Sequence, residues 1–116
     1  MRAIRGAIGV DANTAEHITQ ATCDLLGELR RRNALDLSEI VSVFFTLTPD
    51  LNATFPATAA RSMGWEAPML DSMEIAVPGA LERCLRVLIH VDRDGPVRHA
   101  YLGAARSLRP DLEEQS

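Results

Sequence analysis

Two arginines stand inside segments whose other residues are mostly apolar, and they are the first residues in this sequence that suggest chemistry. Arg86 is flanked by Leu85 and Val87 in an aliphatic run. A guanidinium there must be paired or must face a polar cavity, because burying an unpaired charge is prohibitively costly. The pattern leaves both readings open: an edge or interface salt bridge, or a cation facing a cavity. Arg5, in the first strand-like segment, has the same two readings. Arginine's planar fork suits bidentate capture of carboxylate or phosphate, so two such residues meeting in one cavity would clamp a small anion; spacing does not show that they meet. Glu74, at the end of Leu70-Asp71-Ser72-Met73-Glu74, reads from its surroundings as a solvated loop carboxylate. Tyr101, the single tyrosine, reads as an amphipathic strand residue with its hydroxyl at a rim.

Other chemistries lack residues to perform them. His17 falls on the exposed face of a helical pattern, and His90 and His99 have no Cys or carboxylate at metal-ligand spacing, so no metal site is expected. Cys23 and Cys84 read as buried small hydrophobes rather than a disulfide. No G-x-S-x-G nucleophile motif occurs, and Gly6-Ala7-Ile8-Gly9 lies within a strand pattern with no GK[ST] after it. All 12 basic residues are arginine and the net charge is −4, which argues against a nucleic-acid partner.

The elements that must position these residues follow from periodicity. With 116 residues, 47% of them hydrophobic, the chain has material for a single core. Met1 to Val10 alternates with period two, placing Ile4, Gly6, Ile8 and Val10 opposite Ala3, Arg5 and Ala7. Ile18, Ala21, Leu25, Leu26 and Leu29 recur at helical spacing, predicting an amphipathic helix over Thr14 to Arg32, capped by Asn13 with Glu16 and stopped at Asn33. Ile40 to Leu47 predicts a largely buried strand, and Pro56 opens a short helix to Met63 that Gly64 closes. Pro68 to Ile75 is a short extended segment. Cys84 to Val91 is the clearest strand, Asp94-Gly95-Pro96 turns it back, and Val97 to Leu102 returns. The order β-α-β-α-β-β-β predicts an α/β (α+β) domain with a mixed sheet, helices on one face, and the other face left for another copy to cover. The most hydrophobic stretch, Val41 to Leu47, is far short of the ~20 residues of a spanning helix, and no export signature opens the chain. A soluble, cytoplasmic protein with no membrane partner is expected.

The motifs Ile4-Arg5-Gly6-Ala7, Thr48-Pro49-Asp50-Leu51, Phe55-Pro56-Ala57 with Ala60-Arg61, Glu74 with Val77-Pro78-Gly79, Cys84-Leu85-Arg86-Val87, Arg98-His99-Ala100-Tyr101-Leu102 and Leu108-Arg109-Pro110-Asp111-Leu112 run in order over nearly the whole chain. Together they resemble the small monofunctional chorismate mutases of the trimeric α/β class, which are unrelated in fold to the all-helical ones. The resemblance implies a single domain over 1–116 with a flexible tail from about 110, and a barrel-like homotrimer with active sites between subunits. It implies the rearrangement of chorismate to prephenate in aromatic amino-acid biosynthesis, with no cofactor. On matching positions it implies Arg86 and Glu74 as catalytic residues. Arg5, Tyr101, Leu70, Asp71, Ser72, Met73, Phe55, Ala57, Arg61 and Leu108 would bind substrate, partly from the neighbouring subunit. Two positions depart from the family: Thr58 replaces a lysine at the pocket mouth, and Asp71 replaces a small thiol or hydroxyl. Asp71 either repels Glu74 or substrate, turns outward, or pairs with an arginine such as Arg61. The competing classes are a trimeric enamine deaminase of the Rid type and a non-catalytic trimer that binds small carboxylates.

Overall fold

In the computed structural model, residues 1–108 are described; the expectations for Arg109 to Leu112 and for a flexible tail from about 110 lie outside them. The period-two segment at the start forms β1 (Arg2–Gly9), and α1 (Ala15–Asn33) follows. A single 3-10 turn (Leu37–Glu39) leads into β2 (Ile40–Leu47), then α2 (Pro56–Ser62), β3 (Met69–Met73), β4 (Cys84–Val91), β5 (Ala100–Leu102) and a 3-10 helix (Gly103–Leu108). The strands make one sheet in the order β3-β2-β4-β1-β5. β4 runs antiparallel to both β1 and β2, whereas β3 lies parallel to β2 and β5 parallel to β1.

The helical stripe Ile18, Ala21, Leu25, Leu26 and Leu29 is buried against Ile4, Ile8, Val43, Phe45, Val87 and Ile89 of the sheet, with Trp65 and Leu51 filling the same core. Gly6 permits this close approach: a Cβ there would stand 2.7 Å from Leu29 Cδ1. The cap of α1 differs from expectation. Thr14, not Asn13, occupies the N-cap, its hydroxyl accepting from the His17 amide, because the Asn13 side chain is taken up by Asn52 and by the amides of Asn52 and Ala53. Two burial expectations also change. β2 buries Val43, Phe45 and Leu47 but leaves Val41 and Phe44 exposed, since only one sheet face is covered by helices. Cys84 is buried, whereas Cys23 is only partly so; both are free thiols.

The return after β4 is the largest correction. The expected strand Val97 to Leu102 is ordered as a strand only over Ala100–Leu102, and it pairs with β1 rather than with β4. Both edges of β4 are already occupied by β1 and β2, so the chain must travel to the free edge of β1 to find partners. On the way, the buried Asn33 at the end of α1 stands in for a strand. Its Oδ1 accepts from the Arg98 amide at 2.7 Å, and its Nδ2 donates to the Arg98 carbonyl at 2.8 Å. Arg32 Nη1 donates to the His99 carbonyl.

Asp71 makes a contact that none of its sequence-level alternatives named, while it also feels the Arg61 charge. It pairs with Phe45 in register, on the helix-covered face, and its Oδ1 accepts from the Ala57 amide at 3.1 Å. Phe55, the N-cap residue of α2, offers no side-chain bond of its own, so Asp71 supplies the missing cap from the neighbouring strand. Burial pushes the Asp71 carboxyl above its ordinary value, against the pull of the Ala57 amide and the Arg61 charge. An acid whose folded value is raised opposes folding when ionised. The contribution of Asp71 to stability therefore rises as pH falls from neutral through the raised value and is complete below the ordinary 3.8, opposite in sign to those of Glu28, Asp36, Glu39 and Asp50, whose values are lowered.

Urea melts of Asp71→Ala are expected to show a loss of about 1 kcal/mol. Asp71→Asn keeps an acceptor for Ala57 and should match or exceed the native stability at pH 7 while losing the gain on acidification. Asn33→Leu removes the bonds to both backbone groups of Arg98 and is expected to cost about 2 kcal/mol, read from the same melts.

Candidate active site

Residues paired in register share a sheet face, and on the face that the helices leave open the register gathers chemistry. Arg86 pairs with Ala7 on one side and Thr46 on the other, and Ala7 pairs in turn with Tyr101. The adjacent row reads Arg5, Leu88, Phe44 and Leu70. A cavity of about 460 Å³ opens on these rows, lined by Arg5, Gly6, Ala7, Phe44, Thr46, Arg86, Val87, Leu88, Tyr101 and Leu108, within the usual size range of small-molecule sites.

Arg86 lies on the central strand, so the edge reading of its charge does not apply. Its Nε stands 3.2 Å from Glu74 Oε1, with 43% of the Arg86 side chain and 18% of the Glu74 side chain exposed. The guanidinium is thus paired and faces a cavity at once. The approach does not align the N–H with the oxygen, and among the described residues Nε–H makes no hydrogen bond. Glu74 reaches this place because its amide donates to the Leu47 carbonyl at 2.8 Å, extending the β3 ladder by one residue. Its other oxygen, Oε2, accepts from Thr46 Oγ1 at 2.9 Å. Local sequence context predicts a solvated loop carboxylate at Glu74; the structure instead covers more than three-quarters of its side chain and holds it from two sides.

The start of β4 is anchored two residues before Arg86. Thr48 Oγ1 accepts from the Cys84 amide and donates to Asp50 Oδ1, and Asp50 accepts from the Arg83 amide, whose residue sits at φ 45°. Burial opposes ionisation of Asp50, yet the Thr48 hydroxyl and Arg83 amide hold its carboxyl below the usual range. The Cys84 thiol, on the Arg86 side of the strand, is pushed up to about 11 by burial, which outweighs the nearby Arg86 charge. It is a packing group there, against Ala7, Tyr101 and Ala105.

Of the residues singled out in the sequence, Arg86, Glu74, Arg5, Tyr101 and Leu108 come together. Leu70 and Ser72 share the open face but lie on β3, whereas Asp71 and Met73 alternate to the other. Phe55, Ala57 and Arg61 belong to α2 or its cap, next to β3. β3 and β1 are separated by β2 and β4, about 14 Å at ordinary strand spacing, so one copy of the chain does not bring both groups around one small ligand. Thr46, Phe44 and Leu88 were missed. The signal was present in β2 as the alternation of Ser42, Phe44 and Thr46 with Val43, Phe45 and Leu47, obscured because an all-apolar reading treats Phe44 as core. His90 contacts Phe44 and Ser42 on the same face, and His99 Nδ1 accepts from the Arg5 amide. Among the described residues no three His, Cys, Asp or Glu side chains are grouped to hold a metal ion.

This geometry has relatives. The family profile described as chorismate mutase type I matches residues 1–112. Chorismate mutase AroH of Thermus thermophilus is 47% identical over 118 aligned residues, covering 97% of this chain and 97% of that protein. Chorismate mutase AroH of Bacillus subtilis strain 168 is 40% identical over 117, covering 97% and 92%. The solved chorismate mutase from Clostridium thermocellum superposes with a TM-score of 0.90 at 45% identity, over 92% of this chain and 99% of that one. By its sequence over nearly its full length and by its fold, the chain belongs to the type I chorismate mutases and is an isomerase of aromatic amino-acid biosynthesis whose substrate is chorismate.

Proposed function

We propose that this chorismate mutase performs its rearrangement at the Arg86–Glu74 pair, in a site completed by a second copy of the chain within a cytoplasmic homotrimer. The observation that carries the assignment is the cation on the central strand, paired to Glu74 yet open to a cavity flanked by Arg5 and Tyr101. The reaction is an intramolecular [3,3] shift in which a C–O bond breaks as a C–C bond forms. It needs neither nucleophile nor proton shuttle; the enzyme must hold the chair-like diaxial conformer and stabilise separating charge. Arg86 meets the negative charge that grows on the ether oxygen. Glu74 accepts from the ring hydroxyl and faces the fragment that turns partly positive. Arg5 and Tyr101 grip carboxylates and fix orientation, with Leu108 closing one wall.

The trimer is supported by the open sheet face, where Phe44 and Leu70 are exposed, together with Val41, Met73, Ile75 and Val77 beyond it. An apolar surface of that kind marks an interface. Phe55, Arg61, Leu70 and Ser72 are then offered to the cavity of a neighbouring copy, which removes the difficulty of their distance from Arg5, while Ala57 is buried in the core of its own chain. Asp71 contributes by fixing α2, which carries Ala57 and Arg61, rather than by touching substrate. A reducing compartment suits the two free thiols. No helix among the described residues is long and apolar enough to cross a membrane, and the net charge of −4 does not favour nucleic acid.

Arg86→Ala is expected to lower kcat several hundredfold, the usual cost of one preorganised donor to developing charge, with the oligomer intact; Arg86→Lys should recover little, because a hydrated point charge replaces a fork of donors. The assay is the ultraviolet loss of chorismate with acid conversion of prephenate to phenylpyruvate. Near-native turnover in Arg86→Ala would make the arginine structural. Light scattering should give three times the 12.7 kDa chain mass; a monomer at micromolar concentration would overturn the shared site.

A further inference from the structure

We infer that Thr46 is a positioning residue for this reaction, acting through Glu74; the inference rests on the assignment of Arg86 and Glu74 above. Thr46 lines the cavity and is the in-register neighbour of Arg86 on β2. Its hydroxyl donates to Glu74 Oε2 at 2.9 Å, while Glu74 Oε1 stands 3.2 Å from Arg86 Nε without accepting a hydrogen bond from it. A carboxylate beside a guanidinium ordinarily settles into a fork-to-fork pair with two parallel N–H···O bonds. Here the Thr46 bond draws one oxygen aside and holds Glu74 short of that arrangement. Two things follow. The guanidinium keeps donors free for charge that develops in the transition state, and the carboxylate keeps a fixed direction toward a ring hydroxyl. Without the Thr46 hydroxyl, Glu74 closes on Arg86, and each neutralises the group the reaction needs.

Because the effect concerns groups whose interactions strengthen as charge separates, it should fall on kcat more than on KM. Thr46→Val keeps the shape and β-branching of the side chain and removes only the donor; Thr46→Ser keeps the donor. The expected result for purified protein with chorismate is a loss of about tenfold in kcat for Thr46→Val, the ordinary worth of a hydrogen bond to a charged group, with KM nearly constant. Thr46→Ser should recover most of the loss. The decisive measurement is the pair Glu74→Gln and Thr46→Val/Glu74→Gln: if Thr46 acts through Glu74, the double variant turns over no more slowly than Glu74→Gln alone. Additive losses in the double variant, a change confined to KM, or equal losses in Thr46→Val and Thr46→Ser would each overturn the inference while leaving the site assignment standing. Native kcat in Glu74→Gln would instead overturn the site assignment and this inference with it.

Discussion

The antiparallel register of β4 against both of its neighbours is the constraint on which the rest of this molecule depends. β4 is central, paired along its length with β1 on one side and β2 on the other, and its alternation divides its residues between two environments. Leu85, Val87, Ile89 and Val91 go to the core under α1, and Cys84, Arg86, Leu88 and His90 go to the open face. A slip of one residue would exchange the two sets, burying Arg86 against Leu25 and Leu29 without a partner. The core and the site therefore support one another: the apolar row makes the register unique, and the register delivers the cation to Thr46, Glu74 and the cavity. The Thr48–Asp50 clasp on Arg83 and Cys84 acts at the place where the strand begins and its phase is set.

The electrostatics follow from the same placement. A cation on an internal strand needs a counter-charge, but a fully satisfied ion pair would have its donors already spent and none left for a ligand. Arg86 and Glu74 sit between these extremes: close enough for each to stabilise the other's charge, misaligned enough to leave hydrogen-bonding capacity, and partly exposed on the cavity side. Asp71, three residues before Glu74, is kept out of this balance by strand alternation, which turns it to the opposite face and gives it the Ala57 amide to hold.

The helices serve this sheet in distinct ways. α1 supplies the apolar stripe that covers the inner face of the sheet and, through Asn33 and Arg32 at its end, the guide that leads the chain from β4 across to the far edge of β1. That route brings Tyr101 next to Ala7 and Leu108 to the cavity wall. α2 is short, packs against α1 and is capped at its start from β3, so Ala57 and Arg61 are placed beside the strand at the opposite edge. The two groups of residues proposed to bind substrate lie toward the two edges of one sheet.

What the sequence determined by itself was whatever depends on neighbours in the chain. Period two in β1 and β4, the stripe from Ile18 to Leu29, Pro56 at the start of α2 and the succession of motifs were all legible, and the motifs pointed to the family that the comparisons establish. Local patterns also marked Arg86 as anomalous, because one charge inside an aliphatic alternation is visible without any fold. The tertiary structure alone decided the pairings. Whether Glu74 was a loop carboxylate or the partner of Arg86 depended on the parallel addition of β3 to β2; the fate of Asp71 depended on where α2 begins relative to that strand; the path of Val97 to Leu102 depended on β4 having no free edge; and Thr46 met Glu74 only because the register set it beside Arg86. Each is a contact between segments distant in sequence, governed by the requirement that every buried polar group find a partner in space. No spacing along the chain encodes such a partner.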